Sequence, residues 1–362
     1  MINNPTQILI ALLIFACSCN KSINQNPIEI ELKAVKGKGI LFGHQDDLAY
    51  GMNWSYIKGE SDVKRVSGDY PALFGWELGG IEMKHTHNLD SVPFEYMREM
   101  SIKAYEMGGI NTFSWHPFSV INGESSWNTE SVVVKHILPG GSHHSQFKNQ
   151  LDILADFFKS LQNKEGEMLP FIFRPWHEMD GSWFWWGTKT CTTEEVKELF
   201  QFSVQYLREE KALTSMLVAY SPDRNFKSKS EYLTWYPGDD YVDILGMDNY
   251  YDFKLGKEKQ VIEKLHVVIE LAKEKNKLSA LTETGLSNVT DSLWFTQKLG
   301  KVLNDSLISK ELSYAMVWRS DPKVHFYFPA EDHAAAPDAR EFLNHPNILL
   351  LKDFNREKKQ SN

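Results

Sequence analysis

The chain has 362 residues, 42% of them apolar, and a formal net charge of −9. That length accommodates one large α/β barrel or two ordinary domains, and the apolar fraction is ample for a large core. The acidic balance argues against nucleic acid or an anionic lipid surface as partner, because both reward a basic face.

Ile8 to Ala16 is an apolar run of signal-peptide length, too short to cross a bilayer as a helix. Cys17 and Cys19 close it, which predicts a lipoprotein signal over residues 1–18 with lipid on one of the two thiols. Residues 19–35 then read as a tether, with the folded domain from 36 to 362. The expected location is exported and lipid-anchored, facing the periplasm or the cell surface, and the chain is expected to act as a monomer. Only Cys191 lies in the body of the chain, so the mature domain has no intramolecular disulfide available.

From there one pattern recurs: a short β-rich run, a polar or aromatic tip, then a helix-like segment. The runs lie at 39–43, 72–76, 109–113, 169–173, 215–219, 242–246, 278–281 and 314–318. Amphipathic stretches at 150–162, 193–209, 261–275 and 293–303 carry apolar residues near helical spacing. Short apolar runs alternating with helices call for a parallel sheet buried on both faces. Eight such units predict a single (β/α)8 TIM barrel with extended βα loops, the longest surplus lying at 116–168. A minimal barrel needs about 250 residues, which leaves material for those loops.

The polar tips are His44-Gln-Asp-Asp47, Glu77, His116, His177-Glu178, Asp223-Arg224, Asp248-Asn-Tyr250, Glu283 and Trp318-Arg319. In a barrel they converge on the C-terminal face, where activity is normally found. Eleven tryptophans, several of them at these tips, add flat apolar faces of the kind that stack on sugars. Retaining glycoside cleavage needs two carboxyls about 5–5.5 Å apart, one protonated and one ionised. Glu178, among Trp176, Met179 and Trp183, has the apolar neighbourhood of an acid/base. Glu283 gains the ionised form if Arg174 and Tyr250 reach it, which suits a nucleophile. The plainer reading of either glutamate is a buried ion-pair partner. His143-His144 and His85-x-His87 lack a third ligand at metal-site spacing, and there is no nucleophile elbow, phosphate loop or dinucleotide fingerprint. No metal or cofactor is expected.

The stretch Arg174-Pro-Trp-His-Glu-Met-Asp-Gly-Ser-Trp-Phe-Trp-Trp-Gly187 resembles the acid/base signature of glycoside hydrolase family 26. That family belongs to a clan of barrel enzymes with catalytic glutamates on strands four and seven. The likeness continues through Gly43-His-Gln45, Trp115-His-Pro117, Asp248-Asn-Tyr250, Thr282-Glu-Thr-Gly285 and Trp318-Arg319. It implies a retaining endo-β-1,4-mannanase acting on mannan, galactomannan or glucomannan, with β-mannan or manno-oligosaccharide as the partner. By position, Glu178 resembles the acid/base and Glu283 the nucleophile. His177, Trp183 and Tyr250 resemble residues around the sugar at the cleaved bond. His116, Trp318 and Arg319 resemble glycone-side contacts, and Trp127, in the long loop, a further one. Asp180 stands where the signature more often has asparagine, which leaves local hydrogen bonding open but not the role of Glu178. Alternatives are an exo-acting enzyme releasing mannobiose, a β-1,3-xylanase or mixed-linkage glucanase, and a non-catalytic glycan-binding lipoprotein. Plainer roles also exist for single residues: His177 as a support for Glu178, Arg319 as a surface partner of Asp321, and His44 and Asp46 as holders of the first loop.

Overall fold

Eight parallel strands close on themselves. They are β1 (Ile40–Gln45), β2 (Leu73–Glu77), β3 (Ile110–Ser114), β4 (Phe171–Arg174), β5 (Met216–Tyr220), β6 (Ile244–Asn249), β7 (Leu278–Thr284) and β8 (Tyr314–Val317). Each pairs in parallel with the next, and β8 pairs back onto β1 in a register running from Leu41–Tyr314 to His44–Val317. This is the (β/α)8 barrel expected from the alternation of runs. The computed structural model describes residues 26–361, so the leader and both candidate lipidation cysteines, Cys17 and Cys19, lie outside the described residues. Among the described residues no helix is long and apolar enough to cross a membrane.

Every residue of the eight strands is buried, which is why the runs are continuously apolar instead of alternating. Leu41, Leu73, Ile172, Leu217, Ile244 and Tyr314 pack together inside the barrel. Phe42, Phe74, Phe113, Phe171, Val218 and Tyr220 join the larger core shared with the helices.

Residues 27–35, expected as the end of a tether, form instead a helix, α1 (Pro27–Val35). Ile28, Leu32 and Val35 recur on one helical face and join the interior cluster. Burying such side chains stabilises by about 1.5–3 kcal/mol each, enough to hold a short helix that has little strength alone. Asn26 caps it, accepting from the Ile28 N–H at 3.0 Å and donating to the Ser215 carbonyl at 2.8 Å. Any tether therefore ends by Asn26.

The outer helices follow their sequence signals closely. They include α2 (Asp62–Ser67), α3 (Phe94–Glu106), α4 (His144–Ser160), α5 (Thr193–Gln205), α6 (Glu258–Glu274), α7 (Ala336–Leu343) and α8 (Leu351–Ser361). A reciprocal capping box between Thr192 and Glu195 starts α5. The helix expected at 150–162 begins at His144, because Phe147 extends the buried stripe of Leu151, Leu154 and Phe158 by one turn. The long βα loops rise above the C-terminal ends of the strands, where the polar tips gather.

Candidate active site

The turn after β4 is built by its aromatic residues. Trp176 and Glu178 both adopt left-handed backbone at φ 53°, a conformation costing about 1–3 kcal/mol per non-glycine residue. The surroundings hold it. Trp176 turns toward the helices, gives its Nε1–H to Ser203 at 3.2 Å and packs on Trp115, Trp185 and Trp186. Trp186 donates to the His177 carbonyl at 2.9 Å, and the Glu178 N–H to the Ser221 carbonyl at 2.8 Å. This corrects the expected place of Trp176 beside Glu178: it is Trp183 that meets the carboxyl, donating from Nε1 to Oε2 at 2.6 Å.

Gly181 makes that contact possible, since a Cβ there would stand 2.4 Å from the Trp183 indole. Gly181→Ala is expected to displace the ring and lower kcat/KM about tenfold, equivalent to one lost hydrogen bond of about 1.4 kcal/mol. Steady-state kinetics beside the variant's tryptophan fluorescence checks it; a moved ring with unchanged kcat/KM would rule the contact out as important.

Glu283 is aimed by a bulge. The β6–β7 register passes from Met247–Leu281 to Asp248–Glu283, so Thr282 is an extra residue that turns Glu283 into the barrel mouth. There Arg174 Nη2 donates to its Oε1, and Tyr250 donates to its Oε2 at 2.8 Å. Arg174 Nη1 also donates to Asp248 at 2.7 Å and to Ser221 at 3.1 Å, and Thr282 donates to Asp248 at 2.7 Å. The two donors expected for Glu283 from sequence are thus the ones present, and both favour its ionised form.

One carboxylate oxygen each from Glu178, Asp248 and Glu283 lies within 4.8 Å of the others. This is the group among the described residues best placed to ligate a cation, but Arg174 already supplies positive charge to Asp248 and Glu283. The environments of the two glutamates differ. Burial, with the charges of Asp248 and Asp223, pushes Glu178 well above the usual carboxylate range, against the opposing pull of Trp183 and Arg174. Burial also raises Asp248, to about 6, and keeps Tyr250 a phenol able to donate.

A second network supports the cleft wall. Burial alone would raise Glu77, but His116 and Ser114 hold its carboxyl below the ordinary value. Glu77 Oε2 meets His116 Nδ1 at 2.8 Å, and His116 Nε2 meets His177 Nε2 at 3.0 Å. Burial and the Arg174 charge push His177 well below the usual imidazole value, so it stays neutral. Trp127, 51% exposed, stacks on His116 at 5.0 Å with the planes 10° apart. Arg319 is not the surface partner of Asp321 alone: it pairs with Asp90 at 2.9 Å, and with Asp321 at 3.1 Å. His44 and Asp46 hold the first loop through Asp47, Ser320 and Tyr50.

All nine residues singled out in the sequence (Glu178, Glu283, His116, His177, Trp183, Tyr250, Trp318, Arg319 and Trp127) line one cleft of about 230 Å³. Glu77 and five others, Leu89, Asp90, Phe184, His325 and Tyr327, complete it. Phe184 lay unremarked inside the signature. Asp90 and Tyr327 sit in loops and His325 in a two-residue strand, all too short for a periodicity to mark them. Asp180 accepts from the N–H groups of Asp223 at 2.6 Å and Asn225 at 3.2 Å, tying the β5 tip to the β4 turn.

Comparison with known proteins agrees with this geometry. The family model described as glycosyl hydrolase family 26 matches residues 28–301. A mannan endo-1,4-beta-mannosidase of Bifidobacterium adolescentis is 35% identical over 262 residues, 69% of this chain and 26% of that protein. Another, of Bacillus subtilis, is 30% identical over 220 residues, 58% of each. The match therefore spans less than two thirds of these relatives' own length. The solved GH26 beta-mannanase of Bacteroides ovatus superposes with a TM-score of 0.85 at 41% identity, covering 90% of this chain and 94% of that one. With a family model running from α1 past β7 and a paired-carboxylate cleft at the barrel mouth, the chain belongs to glycoside hydrolase family 26.

Proposed function

We propose that the protein is a retaining endo-β-1,4-mannanase. The observation that carries this is the carboxylate pair: oxygens of Glu178 and Glu283 within 4.8 Å, in opposite surroundings. Inverting enzymes hold their carboxyls about 6.5–9.5 Å apart, to admit a water between. The substrate follows from the relatives named mannan endo-1,4-beta-mannosidase.

Glu283, held by Arg174 and Tyr250, attacks the anomeric carbon. The glycosidic C–O bond breaks, and the Glu178 proton passes to the leaving oxygen. In the second half Glu178, now a carboxylate, takes a proton from water. The water oxygen bonds to the anomeric carbon, and Glu283 leaves as a carboxylate. Trp183 orients Glu178, and His177, buried beneath and bonded to His116, supports the turn. Trp318, Arg319 and Trp127 hold the glycone side. The leader supports export with lipid on Cys17 or Cys19, and the chain acts as a monomer.

A specific observation favours the mannobiose-releasing variant as a second reading. Beyond Asp90 lies a separate cavity of about 460 Å³, bounded by Tyr50, Met52, Tyr56, Asp321 and Lys323. The Asp90–Arg319 pair stands between it and the catalytic cleft. Chromatography of early products from linear mannan separates the readings: a spread of oligosaccharides supports open endo action, and mannobiose alone a closed glycone end. Asp90→Ala is expected to open that end and add mannotriose and longer products. An unchanged pattern would mean the pair does not bound the cleft. Cleavage of β-1,3-xylan or mixed-linkage glucan with mannan untouched would move the substrate assignment.

A further inference from the structure

Asp180 takes no part in the displacement, yet both of its carboxylate oxygens are engaged. Oδ1 accepts from the Asp223 N–H at 2.6 Å and Oδ2 from the Asn225 N–H at 3.2 Å. Its carbonyl accepts from Asn225 Nδ2 at 3.4 Å, and two residues earlier the Glu178 N–H donates to the Ser221 carbonyl at 2.8 Å. The segment tied down in this way presents Asp223, which is 3% exposed and held by Arg224 at 2.7 Å and Asn225 Nδ2 at 3.4 Å.

We propose that Asp180 is a positioning residue: its two acceptor oxygens clamp the β5 tip against the Glu178 turn and fix Asp223's negative charge beside the acid/base. This rests on Glu178 being the acid. Asparagine cannot reproduce the clamp, because its Nδ2 would face a backbone N–H, donor against donor. Alanine would remove both acceptors.

The groups facing Glu178 are Arg174 on β4, Trp183 on its own turn, Asp223 past β5, Asp248 and Tyr250 at β6, Glu283 on β7 and Tyr327 past β8. Arg174 favours the ionised acid, and Asp223 and Asp248 oppose it. Asp180 itself is pushed to about 7 by burial and by Asp223.

The test is the pH profile of kcat/KM on a manno-oligosaccharide for the wild type, Asp180→Asn, Asp223→Asn and the double variant. Removing a like charge from beside Glu178 makes its proton easier to lose, so the alkaline limb should fall. A drop of about 0.5–1 pH unit is expected for Asp223→Asn, with a smaller drop in the same direction for Asp180→Asn and a KM within about twofold. The double variant should fall no further than Asp223→Asn alone, because Asp180 acts through Asp223. A uniform loss of rate with the limb unmoved, or two shifts that simply add, would overturn the proposal. If Asp180→Asn does not fold, Asp180→Ala, which removes both acceptors without placing a donor there, replaces it: a lowered limb supports the clamp and an unmoved limb overturns it. A Glu178→Ala enzyme that keeps the wild-type alkaline limb would instead mean that the acid/base assignment itself has failed.

Discussion

Glu283→Ala is expected to lower kcat on manno-oligosaccharides by on the order of 10⁴-fold or more while leaving KM nearly unchanged. In the proposed displacement this side chain forms the new bond, and the neighbouring Asp248 is turned to Arg174 and Thr282. Breaking a buried ion pair by removing one partner commonly costs about 3–5 kcal/mol, because a charge is stranded. Here Arg174 keeps Asp248 and Ser221, so the variant should remain folded with a modest loss in thermal stability. The vacated space beside Arg174 and Tyr250 suits a small anion. Azide entering there attacks from the face Glu283 used, displacing the leaving group as Glu178 protonates it. The product should be the α-mannosyl azide. A variant with near-normal turnover would remove Glu283 as nucleophile.

Glu178→Ala should behave in the opposite way. General acid catalysis contributes about 10²–10⁴-fold, and that much should be lost on mannan, whose leaving oxygen needs a proton. A dinitrophenyl mannobioside leaves without one, so its first step should stay close to wild type and the glycosyl-enzyme should accumulate. Azide then attacks the intermediate from the other face and gives the β-mannosyl azide. The pH profile separates the role further. Glu178 is raised by burial and by Asp248 and Asp223, and as the proposed acid it has to be protonated for the first step, so the wild type is expected to lose activity as rising pH removes that proton. The Glu178→Ala enzyme should lack this alkaline limb. Equal losses on mannan and on the dinitrophenyl substrate would indicate a structural role instead.

Much of this is legible in the sequence. The barrel strands were readable because both of their faces are buried, so Leu41, Phe42, Ile172 and Phe173 needed no alternation to mark a strand. Glu178 and Glu283 stood out because each ends such a run. Helix α1 was hidden by its brevity: Ile28, Leu32 and Val35 form its buried face, but the exposed Ile30 between them blurs the helical spacing. Trp176 misled because sequence adjacency to Glu178 says nothing about a left-handed residue that sends the ring to the opposite side. Asp90 and Arg319 are far apart in the chain and meet only because two loops from neighbouring parts of the closed barrel converge. Asp180 was marked by its departure from the signature, but its two backbone partners belong to the next strand's loop and are visible only in the fold.

A double displacement between Glu178 and Glu283 would leave its mark on the configuration of the first-formed product. Proton NMR of a manno-oligosaccharide mixed with enzyme, followed before mutarotation, reads the new reducing end. The β-anomer appearing first is the predicted result. The α-anomer appearing first would mean a single displacement by water and would contradict the paired roles assigned to the two glutamates.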